Sequence, residues 1–184
     1  DKETLIITGT TNSKDEINIR IRQNLIEKKE LDKESQKMFT FTRLDKSGTE
    51  CEYNINLTRG DKITFTKNDY KEFDLRNGER GEVLGIKDNL IKVKLEDKRE
   101  INVDTDKYKN IDYGYAMTTY KAQGQTYNNV VVEADTANRS LNDMRNQYVN
   151  ITRARDDVQI FTDDIQDLKE LAQIKTFALD TFDT

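Results

Sequence analysis

The chain has 184 residues, 34% hydrophobic and 35% charged, with a net charge of -5, a single cysteine and no histidine, proline or tryptophan. This composition excludes histidine-ligated metal sites, cysteine-built zinc centres, internal disulfides and nucleophile–histidine catalysis, and Cys51 is read as a bystander. The acidic balance argues against a broad nucleic-acid-coating surface but leaves room for a narrow groove lined by a few cations. With no initiator Met, no signal-like start at Asp1-Lys-Glu-Thr4 and no apolar run of about 18 residues, the chain reads as a piece of a larger intracellular protein.

In chain order, Leu5-Ile-Ile-Thr8 predicts a buried strand running into the polar loop Gly9–Ser13. Asn12 or Ser13 then caps a helix, with Glu16 as capping-box partner and Ile17, Ile21 and Leu25 on its packed face. From Met38 to Asn56 the pattern alternates, with Lys46-Ser-Gly48 as the turn between two strands. Gly60–Phe65, Gly81–Ile86, Leu90–Leu95 and Arg99–Val103 follow at short spacings, separated by Arg76-Asn-Gly78 and Lys87-Asp-Asn89, and read as a small antiparallel barrel.

After Tyr108 the pattern returns to α/β. A strand is predicted over Tyr113–Met117, a helix start over Thr119–Gln123, and a buried strand at Val130-Val-Val132. A helix over about Leu141–Arg155, a strand at Val158–Phe161 and a helix capped by Asp163 or Asp164 complete the chain to about Gln173. Strands alternating with helices imply a parallel sheet. The expected architecture is thus an α/β lobe of residues 1–33 and 106–184, interrupted by a β lobe over 34–105 whose barrel core runs from about 58 to 105.

Two strings concentrate the chemistry. In Thr118-Thr-Tyr-Lys-Ala-Gln-Gly124, the hydroxyls of Thr118 and Thr119 and the ammonium of Lys121 are candidates for DNA phosphates. Tyr120 is a candidate for base stacking, and Gln123 and Gly124 for the nucleotide side. The plain alternative is an ordinary polar strand–helix junction. In Tyr148-Val-Asn-Ile-Thr-Arg-Ala-Arg155, Arg153 follows an apolar face at a helix end and is the candidate cation for a nucleotide phosphate; Arg155 lies off that face.

Weaker candidates stand beside these. Either Arg20 or Arg22 is read as a second phosphate-sensing cation or as part of a solvated helix face, and Thr10 and Asn12 as DNA-backbone contacts or helix caps. Arg59, Lys62 and Lys67 near Tyr70 and Phe73 form a basic–aromatic mix within the barrel. Asp156-Asp157 and Asp163-Asp164 read as caps rather than metal ligands, so no metal site is assigned. No G-x-x-x-x-G-K-[ST] phosphate loop occurs anywhere in the chain.

Four stretches, taken in order, resemble a known family. Thr8-Gly-Thr-Thr-Asn12 leading into Asn18-Ile-Arg-Ile-Arg22 is similar to the fourth motif of RecD-like superfamily 1 DNA helicases. Arg59–Phe65 with Asn68 and Asn77–Val83 resembles their inserted SH3-like lobe, Asp112–Thr126 their fifth motif and Tyr148–Arg155 their sixth. The whole chain resembles the C-terminal motor half of such helicases, most closely the helicase part of conjugative relaxases of the TraA/TraI type. Tyr120 departs from the family's usual histidine, keeping a ring for stacking but losing a titratable donor.

The resemblance implies a RecA-like second motor lobe of the P-loop-NTPase type, without the phosphate loop, carrying an SH3-like insertion. It implies ATP and Mg2+ as cofactors of the complete protein, with Arg153 as arginine finger and Gln123, Gly124, Arg20 and Arg22 on the nucleotide side. Thr10, Asn12, Thr118, Thr119, Tyr120 and Lys121 would contact DNA. Implied partners are single-stranded DNA, the missing N-terminal lobe and a type IV secretion coupling protein, in the cytoplasm of a bacterium carrying a plasmid or integrative element. The fragment alone lacks the half that binds ATP and is not expected to hydrolyse it. Two alternatives remain open at this level: a vestigial helicase module that binds single-stranded DNA or serves as a secretion signal, and a fragment of a RecD-like repair helicase.

Overall fold

The computed structural model describes residues 4–45 and 47–174. In chain order its elements are β1 (Thr4–Thr8), α1 (Thr11–Glu27), β2 (Lys37–Leu44), β3 (Glu50–Leu57), β4 (Lys62–Phe65), β5 (Arg80–Lys87), β6 (Leu90–Leu95) and β7 (Glu100–Asp104). They continue with β8 (Ile111–Tyr113), β9 (Ala116–Thr118), β10 (Tyr127–Ala134), a 3-10 turn at Arg139–Leu141, α2 (Met144–Ile151), β11 (Ala154–Thr162) and α3 (Ile165–Leu171). Two compact units result, residues 1–14 with 116–184, and residues 15–115. Among the described residues no helix is long and apolar enough to cross a membrane.

The first unit is built on a sheet ordered β11-β10-β1-β9, all parallel. Leu5 pairs with Val130 and Ile7 with Val132, so the two apolar runs legible in the sequence lie side by side at the centre of the sheet. Leu5, Ile7, Met117, Ala122, Tyr127, Val130 and Val132 form its core, with Ala154 and Val158 packed against it. Continuous apolar runs suit strands covered on both faces.

Three local expectations change here. The cap of α1 is Thr10 rather than Asn12 or Ser13: its Oγ1 accepts from Ser13 N at 3.1 Å. Residues 119–124 form successive turns instead of a helix. The helix expected over 141–155 shortens to α2, capped by Asp143, whose side chain accepts from Asn146 N. Ladder pairing takes over from there: Tyr127 N donates to Arg153 O at 2.8 Å, and Ala154 pairs with Tyr127, which draws Ala154 and Arg155 into β11. Asp164 caps α3, accepting from Gln166 N and Asp167 N.

The second unit contains an antiparallel sheet ordered β7-β6-β5-β4-β8 and the two-stranded hairpin β2-β3. Phe39, Phe41, Ile55, Leu57, Ile63, Phe65 and Val93 lie in one buried core, against which Ile21 and Leu25 of α1 also pack. The division of the chain therefore falls between Lys14 and Asp15 and between Tyr115 and Ala116, not at 33/34 and 105/106. The reason is pairing: β8 hydrogen-bonds to β4, with Ile63 opposite Tyr113 and Phe65 opposite Ile111. The strand expected over Tyr113–Met117 is accordingly broken into β8 and β9. At the break, a Cβ on Gly114 would lie 2.7 Å from the carbonyl carbon and oxygen of Ile63, so no larger residue fits there without moving backbone.

Candidate nucleotide and nucleic-acid site

Within the first unit, β9 ends at Thr118 and hands the chain to the loop 119–126. Ala122 is fully buried and anchors the loop, while its N–H donates to Thr118 O at 3.0 Å. Gln125 N donates to Ala122 O at 3.2 Å, and Gly124 sits at φ +81°, a left-handed conformation that glycine adopts without strain. Held this way, the loop presents Tyr120 with 80% of its surface exposed, and Gln123 and Gly124 are also exposed. A free ring beside half-buried Thr118 and Lys121 can stack a base while the polar groups meet a phosphate.

Thr119 is placed differently from the expectation. It is buried, its N–H donates to Thr8 O at 3.0 Å, and its hydroxyl faces the same carbonyl at 3.4 Å. Its polar groups are committed to the end of β1, so Thr119 acts as a strut that fixes the 118–124 turn against the 8–12 turn. In that neighbouring turn Thr10 is engaged as a helix cap, and Asn12 is exposed in the first turn of α1. Thr8 Oγ1 also donates to Thr10 O at 2.9 Å, which rigidifies the turn.

Arg153 occupies the turn between α2 and β11 and is half-buried. Its guanidinium donates through Nε to Val149 O at 3.0 Å, through Nη1 to Gln125 O at 3.2 Å and through Nη2 to Thr152 Oγ1 at 3.2 Å. All three acceptors are neutral, and among the described residues no carboxylate pairs with this cation. The bond to Gln125 joins the two signature strings directly. Arg155 is exposed on β11.

The support under Arg153 is not the expected apolar face. Tyr148 is 69% and Ile151 46% exposed, whereas Gln147 and Asn150 are the buried residues of α2. Gln147 Nε2 donates to Asn142 Oδ1 at 2.9 Å, but Gln147 Oε1 and Asn150 Oδ1 have no partner among the described residues. Asn150 lines a cavity of about 10 Å³ with Gly9, Thr10, Glu133 and Asp135, room for one water-sized ligand. These two buried amides, one of them lining the cavity, were not singled out by the sequence reading. Their signal was present as two amides three residues apart in an otherwise mixed helix.

Arg20 and Arg22 belong to the second unit. Arg20 is exposed and pairs with Glu16 at 2.5 Å. Arg22 is buried, and its guanidinium grips Asp61 through Nε at 2.9 Å and Nη2 at 3.2 Å. Asp61 also accepts from Thr58 N and Tyr115 OH, both at 2.7 Å. The charge of Arg22 is thus balanced inside the unit by Asp61. Of the basic–aromatic mix in the second unit, Lys62 pairs with Glu82 at 2.6 Å and Phe73 packs edge-on against Tyr108, while Tyr70 is exposed. Asp156 and Asp157 lie along β11 rather than at a helix start, with Asp157 accepting from Gln159 Nε2 at 3.4 Å; Asp163 binds Thr136 N at 2.9 Å, which holds its carboxyl below the usual carboxylate range.

Residues 113–160 match the model of the UvrD-like helicase C-terminal domain. A probable conjugal transfer protein TraA of Sinorhizobium fredii (strain NBRC 101917 / NGR234) is 36% identical over 111 residues, covering 59% of this chain and 10% of that protein. The conjugal transfer protein TraA of Rhizobium radiobacter is 37% identical over 105 residues, covering 55% of this chain and 9% of that protein. The chain therefore spans about a tenth of the length of these relatives. Among solved structures, the Bacteroides Pif1 helicase in complex with ADP-AlF3 and ssDNA superposes with a TM-score of 0.61 at 18% identity, covering 91% of this chain and 42% of that one. The Pif1 helicase of Candida albicans gives a TM-score of 0.55 at 16% identity, over 90% and 46% of the two chains. The chain thus carries a stretch similar to the UvrD-like helicase C-terminal domain, is similar in sequence to a part of TraA conjugal transfer proteins, and shares its fold with part of the Pif1 helicases.

Proposed function

We propose that this chain is the second motor lobe of an ATP-dependent DNA translocase within a bacterial conjugative relaxase, working in the cytoplasm, with the five-stranded antiparallel sheet serving as its SH3-like insertion. The observation that carries the reading is the state of Arg153, a half-buried cation held by three neutral acceptors and left without a carboxylate among the described residues. A guanidinium fixed in this way is prepared for an anion supplied from outside, as an arginine finger must be. The donor set fits a phosphate. ATP with Mg2+, held by the first lobe, supplies the phosphoryl group.

On this reading Arg153 stabilises charge on the transferring group, and Gln123 with Gly124 faces the nucleotide side. Thr118, Tyr120 and Lys121 hold the DNA strand, with Asn12 and the Thr10 turn beside them. The bond from Arg153 to Gln125 O couples the two tasks, because a shift of the guanidinium on closing or opening of the lobes pulls on the loop that bears Tyr120. Thr119 contributes as a strut.

The test is the complete protein with Arg153→Ala. ATP turnover is expected to fall roughly a thousandfold, with single-stranded DNA affinity changed by less than about tenfold. Near-normal turnover would remove the arginine finger from this chain.

A further inference from the structure

Strand β3 has one ladder and one open edge. Asp45 N donates to Thr49 O at 2.9 Å, which makes that pair the hydrogen-bonded pair closing the β2-β3 hairpin. By the period of two along an antiparallel ladder, Phe41–Tyr53 and Phe39–Ile55 are hydrogen-bonded pairs as well. The intervening Glu52, Asn54 and Asn56 therefore turn their N–H and C=O groups away from β2. Two bonds agree with this parity. Thr42 N, opposite Glu52, donates outward to Lys109 O at 2.8 Å, and Asn56 O accepts from Tyr113 OH at 2.7 Å. No third strand of the described residues pairs with β3.

A groove of about 420 Å³ runs beside this strand, with Tyr53 to Asn56 along one wall and Asp15, Ile19 and Gln23 of α1 among the residues of the other. Alternate side chains of a strand point to opposite faces, so four consecutive residues line one groove only if the strand presents its edge. We infer that this groove takes an extended segment of a partner protein, added as a further strand on the free edge of β3. The proposal goes beyond the motor reading and does not rest on it.

Three observations choose this occupant. Outward N–H and C=O groups of Glu52 and Asn54, continued by the N–H of Asn56 whose carbonyl Tyr113 already holds, recur every ~6.8 Å, a spacing that another extended polypeptide matches. Second, both arginines in the groove are already paired, Arg43 with Asp15 at 2.7 Å and Arg22 with Asp61 at 2.9 Å, so the usual partner of a nucleic-acid backbone, an unpaired cation, is not offered by either. Third, lysine, proline and bulges are absent from Tyr53–Asn56, and the charges that flank this edge, Glu50 and Glu52, exposed and without an ion pair among the described residues, repel an acidic strand and select a basic one. A basic residue at that end of the segment pairs with these acids, and Ile19, half exposed, seats an apolar side chain.

The test uses the 184-residue chain and a labelled synthetic peptide, Lys-Val-Thr-Val-Thr-Val-Lys, read by fluorescence anisotropy and amide hydrogen exchange. Saturable binding is expected, with exchange at Glu52 and Asn54 slowed by at least about tenfold. Asn54→Pro removes an outward N–H and leaves the backbone bonds to β2 in place, losing on that side only the bond from Thr40 Oγ1 to Asn54 Oδ1, and should weaken binding about tenfold or more. Ile19→Asp, on the opposite wall, should weaken it independently and decides the matter if the proline variant loses its hairpin. No binding at millimolar peptide, binding indifferent to both variants, preferential filling of the groove by oligo-dT, or self-association abolished by Asn54→Pro would each overturn the proposal.

Discussion

Arg153 Nη1 and the carbonyl of Gln125 lie 3.2 Å apart, and the backbone of Arg153 in turn accepts from Tyr127 N at 2.8 Å. One residue thus closes the loop 119–126 at its far end through both side chain and main chain. A hydrogen bond from a charged donor contributes about 1.5–3 kcal/mol when buried, and about 1 kcal/mol is reasonable for a half-buried one. In the isolated chain, Arg153→Ala should leave the fold intact and speed hydrogen exchange of the Ala122 and Gln125 amides roughly fivefold. Unchanged exchange there would mean that Arg153 does not brace the loop.

Thr119 and Tyr120 are neighbours with opposite environments, one 7% and the other 80% exposed. Tyr120→Ala should leave the melting temperature unchanged and weaken single-stranded DNA binding by about 1–3 kcal/mol if the ring stacks a base. Thr119→Val keeps the shape but deletes a buried hydroxyl facing Thr8 O, and should cost about 0.5–1.5 kcal/mol of stability. Melting curves beside anisotropy titrations separate the two. A Tyr120→Ala chain that melts early but binds normally would reverse the assignment.

How much of this was legible beforehand depends on the range over which each residue acts. The apolar runs Leu5–Ile7 and Val130–Val132 announced buried strands, and the alternation of strands with helices announced their parallel pairing, because neither signal depends on a distant partner. The two signature strings drew attention to loop 119–126 and to Arg153, and the fold brings them into contact through the bond from Arg153 to Gln125 O. What stayed hidden was set by distant partners. Arg22 looks like any polar helix residue until Asp61, 39 positions away, is folded against it. Thr119 looks like a phosphate ligand until Thr8 takes its polar groups. The break at Gly114 was invisible because β8 is claimed by β4 in one unit and β9 by β1 in the other.

The Arg22–Asp61 pair gives a stability test that is separate from nucleic-acid or nucleotide binding. Asp61 is fully buried and keeps three kinds of donor: the guanidinium, Thr58 N and Tyr115 OH. Arg22→Ala leaves that carboxylate without its counter-charge, and such a loss typically costs about 3–5 kcal/mol. Chemical denaturation should show the loss, and a paired Arg22→Met/Asp61→Asn variant should recover part of it. An Arg22→Ala chain of unchanged stability would show the pair to be solvated.

Tyr53, Tyr108 and Tyr115 make the second unit sensitive to alkali. Burial, the first cause for all three, raises their phenol pKa values above the ordinary range; for Tyr53 the charge of Asp112 adds to this, and for Tyr115 that of Asp61. A folded-state pKa above the unfolded value means that the unfolded chain loses these protons first. Their contribution to stability is therefore fully present below about pH 10 and is lost as the pH climbs beyond it. Phenolate absorbance followed beside circular dichroism should show a cooperative step in which these tyrosines ionise as the unit opens. Tyr53→Phe removes one of these phenols, at the expense of its bond to Ile111 O, and should move the alkaline midpoint upward even if stability at neutral pH falls slightly. Ionisation of the buried tyrosines with the dichroism unchanged would show that water reaches them in the folded state.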